Sequence, residues 1–180
     1  TIDNNNYIDL CVNRDEQHGD FYEIFLMSIC KFFVANFSGP YGVAALFDTP
    51  TIVVNGTPLQ HPYMKYGRFI PKLLYKGEEQ INIVEVCQGK PLSETNNKAI
   101  VYSFNEKEFA EHGYSYKDNS EQDILDAVLE FEALVADNQL EQPLTELQQA
   151  YYDSLPDSFC HKKSKNVVSN SFLKAHSSAF

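Results

Sequence analysis

Phe32-Phe33-Val34-Ala35-Asn36, Phe37-Ser38-Gly39-Pro40-Tyr41-Gly42, Val43-Ala44-Ala45-Leu46-Phe47, Asp48-Thr49-Pro50 and Thr51-Ile52-Val53-Val54-Asn55 run on without a break, and their reading decides the fold. The apolar run 32–36 reads as a central parallel strand covered on both faces. A small-residue loop follows, then a short helix over 41–47 and a turn at 48–50. Residues 51–55, rich in β-branched side chains, read as a second strand. Pro40 is well placed near a helix start, where no intrahelical bond needs its missing N–H. Strand, helix, strand at this spacing is a compact βαβ unit, right-handed by the usual rule. It places backbone N–H groups at a helix N-terminus beyond the carboxyl end of a strand, where open α/β sheets bind phosphates.

Upstream, Asp20-x-x-Glu23 has the form of a capping box and predicts a helix from Asp20. Phe21, Ile24, Phe25, Met27, Ile29 and Cys30 make that helix apolar nearly all round, as for a helix wedged between a sheet and another layer. Lys31 suits its C-terminal end. Tyr7 to Val12 reads as an edge strand or a loop crossing. Downstream, Gly56 to Lys76 reads as loop, broken by Pro58, Pro62, Gly67 and Pro71. A short helix is expected over 78–88, a weak strand over 99–104, and a helical turn or two over 106–112. Asn119 and Ser120 open the strongest helix, because Ser120-x-x-Asp123 and Asn119-x-x-Gln122 both offer reciprocal caps. Thr145 to Leu155 is a further amphipathic helix, and Phe172-Leu173 is a docking pair near the end. The expected fold is α/β: a Rossmann-like, mostly parallel sheet with helices on both faces and C-terminal helices packed back. Residues 1–155 form the domain and 156–180 a tail.

The chain of 180 residues carries a formal charge of −11. From Glu106 to Asp153 there are 13 acids against Lys107 and Lys117, so the excess sits in the helical half. That argues against a nucleic-acid footprint, which needs a basic face. Lys162, Lys163, Lys165 and Lys174 make the tail basic, suited to solvent, anionic lipid or a partner. Cys11, Cys30, Cys87 and Cys160 are far apart and form no C-x-x-C, so neither a metal site nor a disulfide framework is expected. No apolar run approaches the roughly 20 residues needed to span a bilayer. A cytoplasmic protein, peripheral at most to the inner face of a membrane, is expected. The start at Thr1, without Met, suggests an N-terminally incomplete chain.

Candidate chemistry centres on Ser38, Gly39 and Gly42. Small residues let a phosphate approach the backbone, and the Ser38 hydroxyl adds a donor. The alternative is a Ser that caps the helix and glycines that serve the turn. Asn55-Gly56-Thr57-Pro58 follows the second strand at the same sheet edge, where its polar groups can meet a ligand at the first loop or serve only as a turn after the strand. Lys72, with Lys65 and Arg68 near it in sequence, can neutralise a diphosphate. His18 and His61 are candidate bases without a motif partner. Asp118, Asn119 and Ser120 reach a ribose if their helix starts at the ligand edge, or act only as a cap. No G-x-S-x-G, P-loop, H-E-x-x-H or G-x-G-x-x-G occurs.

From Phe32 to Leu59 the sequence resembles bacterial surface-polysaccharide glycosyltransferases of the two-Rossmann-domain GT-B architecture. The words that carry the resemblance are Lys31-Phe32-Phe33-Val34-Ala35-Asn36-Phe37-Ser38-Gly39-Pro40, Ala44-Ala45-Leu46-Phe47-Asp48-Thr49-Pro50 and Val54-Asn55-Gly56-Thr57-Pro58. Ile70-Pro71-Lys72, Asp118-Asn119-Ser120-Glu121-x-Asp123-Ile124 and Ser171-Phe172-Leu173 resemble later landmarks in the same order. The resemblance implies a C-terminal, donor-binding domain. Ser38, Gly39 and Gly42 would hold the diphosphate of a nucleotide-sugar, with Asn55 at the same edge, Lys72 as charge partner, and Asn119 and Ser120 near the nucleotide. A glycan or lipid-linked acceptor and a separate N-terminal domain are implied as partners. No cofactor or metal is implied, and no catalytic residue is assigned. Asp48 departs from the pattern, standing where relatives usually have Gly. Two alternatives remain: a non-catalytic α/β module that binds a partner through its acidic helices, and another phosphate-ligand enzyme on a Rossmann-like sheet, such as a sugar-nucleotide epimerase.

Overall fold

A computed structural model of the chain describes residues 18–57, 64, 67–88, 110–157 and 166–180. Helix α1 (Gly19–Ile29) leads into β1 (Phe33–Ala35), α2 (Gly39–Leu46) and β2 (Thr51–Gly56). Strands β3 (Gly67–Pro71), β4 (Leu73–Lys76) and β5 (Glu79–Gln80) follow, then α3 (Ile83–Cys87) and β6 (Tyr114–Lys117). The rest comprises α4 (Glu121–Ala136), α5 (Glu146–Ser154), β7 (Asn166–Val168), α6 (Asn170–Ala175) and a 3-10 turn at Ser177–Ala179. The main sheet is wholly parallel, in the order β1-β2-β3-β7; a small antiparallel sheet, β5-β4-β6, continues from it. The α/β class and the βαβ unit thus stand as expected.

The core lies at the centre of the parallel sheet. Ile52, Val53, Phe69 and Ile70 are fully buried, and α4 packs across β2 and β3 with Ala127 and Phe131 inward. Phe172 and Leu173 of α6 are buried against α4 and α5, each worth roughly 1.5–3 kcal/mol of apolar burial. Helix α6 is short and its own Ser169 does not cap it. Glu130 of α4 does so instead, accepting from the Asn170 and Ser171 amides at 2.9 and 2.7 Å and from the Ser169 hydroxyl at 2.8 Å. A carboxylate there also meets the positive end of the helix.

Five expectations are corrected. Strand β1 is an edge strand among the described residues, with Val34 exposed, because β2 and β3 take the centre. The 56–76 segment is not all loop: β3 and β4 lie in it, and β3 sits between two parallel neighbours. Residues 166–168, expected in the tail, supply the fourth strand. Helix α1 starts at Gly19 with His18 at its N-cap and no side-chain cap bond, so the Asp20–Glu23 capping box does not form. Nor is α1 wedged between layers. Phe21 (62% exposed), Phe25 and Ile29 point outward with Tyr22 and Leu26, while Met27 and Cys30 face the protein. Apolar periodicity reports that a helix has an apolar face, not what that face meets. The strand expected at 99–104 and the segment 7–12 lie outside the described residues.

The turn after α2 explains Asp48. The Asp48 amide donates to the Ala45 carbonyl at 3.2 Å and the Thr49 amide to the Ala44 carbonyl at 3.1 Å. These are the two bonds of a Schellman motif, whose first residue past the cap adopts the left-handed conformation. Asp48 has φ 57°, the conformation a glycine takes most readily.

Candidate functional site

A cavity of about 730 Å³ opens at the carboxyl ends of β1, β2 and β3. Its size falls in the usual range for ligand pockets, roughly 300–1,000 Å³. One wall is the loop after β1 and the first turn of α2, with Ser38, Gly39, Tyr41 and Gly42. Asn55 and Thr57 at the end of β2 form a second. Lys72, between β3 and β4, and Asp118, between β6 and α4, complete the rim.

The local chemistry of the α2 wall favours an anion. Ser38 sits at the N-cap with extended backbone, yet its side chain makes no capping bond. Its hydroxyl lies 3.5 Å from the Asn36 carbonyl, too far for a strong bond. The first-turn amides of a helix have no intrahelical partner, and here the Ser38 side chain does not substitute for one. Gly39 and Gly42 both line the cavity, and a Cβ built on either meets no heavy atom within 4 Å. Gly56 is different: a Cβ there would lie 3.1 Å from the Phe37 ring, which packs edge-on against Tyr41. Gly56 therefore lets the aromatic wall close onto β2. Its carbonyl holds the Lys72 amide at 2.7 Å and so fixes the start of β4.

Lys72 and Asp118 form an ion pair, Nζ to Oδ1 2.6 Å, with side chains 31% and 68% exposed. Asn119, the next residue, faces inward. Its Oδ1 accepts the Asn55 amide at 2.6 Å, its Nδ2 donates to the Pro71 carbonyl at 2.8 Å, and its own amide donates to Asn55 Oδ1 at 2.7 Å. Asn55 has φ 53°, a left-handed conformation that Asn tolerates well. This reciprocal clamp ties the ends of β2 and β3 to the start of α4.

The expected site residues therefore divide. Ser38, Gly39, Gly42, Asn55 and Lys72 line one cavity. Asn119 is 8% exposed and committed to the clamp, and Ser120 to the capping box of α4 with Asp123; neither lines the cavity. Asp118 and Thr57, both candidates in the sequence, do line it, as do Asn36 and Tyr41, which sequence reasoning did not single out. Their only signal was adjacency to the strand ends. Arg68 is buried in β3 beside Glu130, away from the cavity; burial lowers its pKa, and the Glu130 and Tyr152 charges oppose the shift. His18 packs edge-on against Tyr22 at the start of α1. His61 and Lys65 lie outside the described residues.

Ser120, Asp123 and His176 form a second polar chain, but in the wrong order for nucleophile activation. The Ser120 hydroxyl and His176 Nε2 each reach an oxygen of Asp123, at 2.6 and 2.7 Å, so the imidazole does not serve the hydroxyl. Burial alone would raise the Asp123 pKa. Hydrogen bonds from the Ser120 side chain, His176 and the Ser120 amide, with the His176 charge, outweigh it and hold the carboxyl below its ordinary value. Among the described residues no cluster of His, Cys, Asp or Glu is disposed to hold a metal ion, and no helix is long and apolar enough to cross a membrane. Comparison with protein-family models, curated proteins and solved structures finds no match to this chain.

Proposed function

We propose that this chain is the donor-binding domain of a GT-B glycosyltransferase, transferring a sugar from a nucleotide-sugar to a glycan or lipid-linked acceptor in bacterial surface-polysaccharide synthesis. One observation carries the reading. At the carboxyl edge of a parallel sheet, a helix N-terminus that its own Ser38 does not cap, two glycines beside open space and a lysine line the same cavity. The resemblance of residues 32–59 supports the same ligand. The mechanism is electrostatic: the α2 amides and Lys72 stabilise negative charge on the departing nucleoside diphosphate as the glycosidic bond breaks. A second domain would supply the acceptor site and the base, and the enzyme would work at the cytoplasmic face of the membrane.

The test is calorimetric titration of UDP, GDP and CDP into the protein, into Ser38→Ala and into Gly39→Val. A Cβ at Gly39 meets no heavy atom within 4 Å, so the added side chain is expected to crowd the ligand rather than the fold. At least one nucleotide binds the parent protein; Ser38→Ala weakens it about 2- to 10-fold, the value of one hydrogen bond; Gly39→Val abolishes it. Equal affinity in all three, or none in any, removes the proposal. The second reading, a partner-binding module, draws on the outward apolar face of α1 and on Leu125 and Leu129, both half-exposed on the acidic helix α4. It gains if all three nucleotides fail.

A further inference from the structure

Among the described residues that line the cavity, Lys72 is the only cation and Asp118 the only anion, and they hold each other at 2.6 Å. A phosphate drawn to Lys72 therefore meets a carboxylate already there. We propose that Asp118 is an internal stand-in for the ligand's phosphate: it occupies Lys72 until a diphosphate displaces it. This deepens the phosphate reading of the site and rests on it.

Three observations carry the inference. Both residues sit on the rim of the same cavity as the α2 N-terminus. Asp118 is 68% exposed, so on displacement its carboxylate moves into water without a desolvation cost. Its backbone does not move with it, because the next residue is pinned by the Asn55–Asn119 clamp and the Pro71 carbonyl. Asp118 thus stays near the rim after release and continues to repel an anion bound there. A ligand with one negative charge only matches the carboxylate it removes. A diphosphate carries two or more and can also engage the α2 amides, so the pair selects for diphosphates over monoanions. It also favours departure of the nucleoside diphosphate, since Asp118 is positioned to take Lys72 back.

The test uses inorganic pyrophosphate, which needs no knowledge of the base or sugar. It is titrated by calorimetry at low ionic strength into the parent protein, Asp118→Asn, Lys72→Met and the double variant. Removing both the competing pair and a nearby negative charge should tighten pyrophosphate about ten-fold in Asp118→Asn. Lys72→Met should weaken it. In the Lys72→Met background, Asp118→Asn should recover clearly less than ten-fold, because part of its effect acts through the lysine. Unchanged or weaker binding by Asp118→Asn overturns the proposal, since Asp118 is then inert or a ligand contact. An equal gain in both backgrounds also overturns it, because Asp118 then acts only as bulk charge. If the parent binds and Asp118→Asn gains nothing, the displacement alone falls. If none of the four proteins binds, the phosphate reading falls and takes the displacement with it.

Discussion

Asn119→Ala separates a structural clamp from a ligand contact at the point where sequence reasoning placed a nucleotide-binding residue. The Asn119 side chain accepts the Asn55 amide at 2.6 Å and donates to the Pro71 carbonyl at 2.8 Å, at 8% exposure. Alanine removes both bonds. Each is worth about 1 kcal/mol net, and a buried group left unpaired costs about 1–3 kcal/mol. Pro71 is buried, whereas Asn55 is partly open to water, so only one of the two groups incurs the full penalty. The expected loss is about 2–4 kcal/mol. For a chain of this size that is a fall in Tm of roughly 5–15 °C, read by calorimetry or thermal circular dichroism. Because Lys72 follows Pro71 and Asp118 precedes Asn119, the clamp also sets how the ion pair meets across the cavity. Nucleotide affinity should therefore fall together with stability. Asn119→Asp, which keeps the acceptor but sets a carboxylate against the Pro71 carbonyl, should resemble the alanine variant. A Tm shift under about 2 °C refutes the argument, and so does a loss of binding with stability unchanged, which would make Asn119 a ligand contact after all.

Two further outcomes follow from single residues. The Asp123 carboxyl is held below its ordinary value of 3.8, so its contribution to stability is fully present above that value and is lost as pH falls through the lower folded one. Asp123→Asn should therefore flatten the part of the Tm curve below about pH 4, and an unaltered acid limb would contradict the Ser120 and His176 bonds. Asp48→Gly should raise Tm by about 1–4 °C, because glycine accepts φ 57° in the Schellman turn where an L side chain is strained. A lower Tm would mean that the Asp48 side chain outweighs its backbone cost.

The βαβ unit was legible because its signals are local. An apolar run, Ser-Gly-Pro and a β-branched run each act within a few residues, and the loop after a parallel strand has one place to go. The helix α4 was legible for the same reason, since its capping box is a short-range pattern and it forms; α5 was legible from its amphipathic pattern, and the Thr145–Gln148 capping box that starts it emerges only in the structure. Strand β3 was not. Gly67 and Pro71 bound it, Arg68 interrupts it, and it becomes a strand only because β2 and β7 pair with it on either side. Strand β7 has three residues and meets its partner across about a hundred intervening positions, which no local window contains. The outward face of α1 marks the complementary limit, since burial depends on the neighbour as well as on the pattern.

The same distinction runs through the site. Ser38, Gly39, Gly42, Asn55 and Lys72 lie at the carboxyl ends of strands or in the loop and helix turn just beyond them at one edge, so topology alone brings them together. Asp118 and Asn119 enter from the far side of the sequence, on a single loop, and adjacent residues there do opposite work. Asn119 turns in and closes the frame, while Asp118 turns out and meets the lysine. A polar triplet before a helix cannot say which of its members will be which. That choice is made by the Pro71 carbonyl, which ends a buried strand and needs a donor. Once Asn119 supplies it, Asp118 is left on the rim facing Lys72. The charge balance of the cavity is thus a consequence of a hydrogen-bond demand in the sheet beneath it.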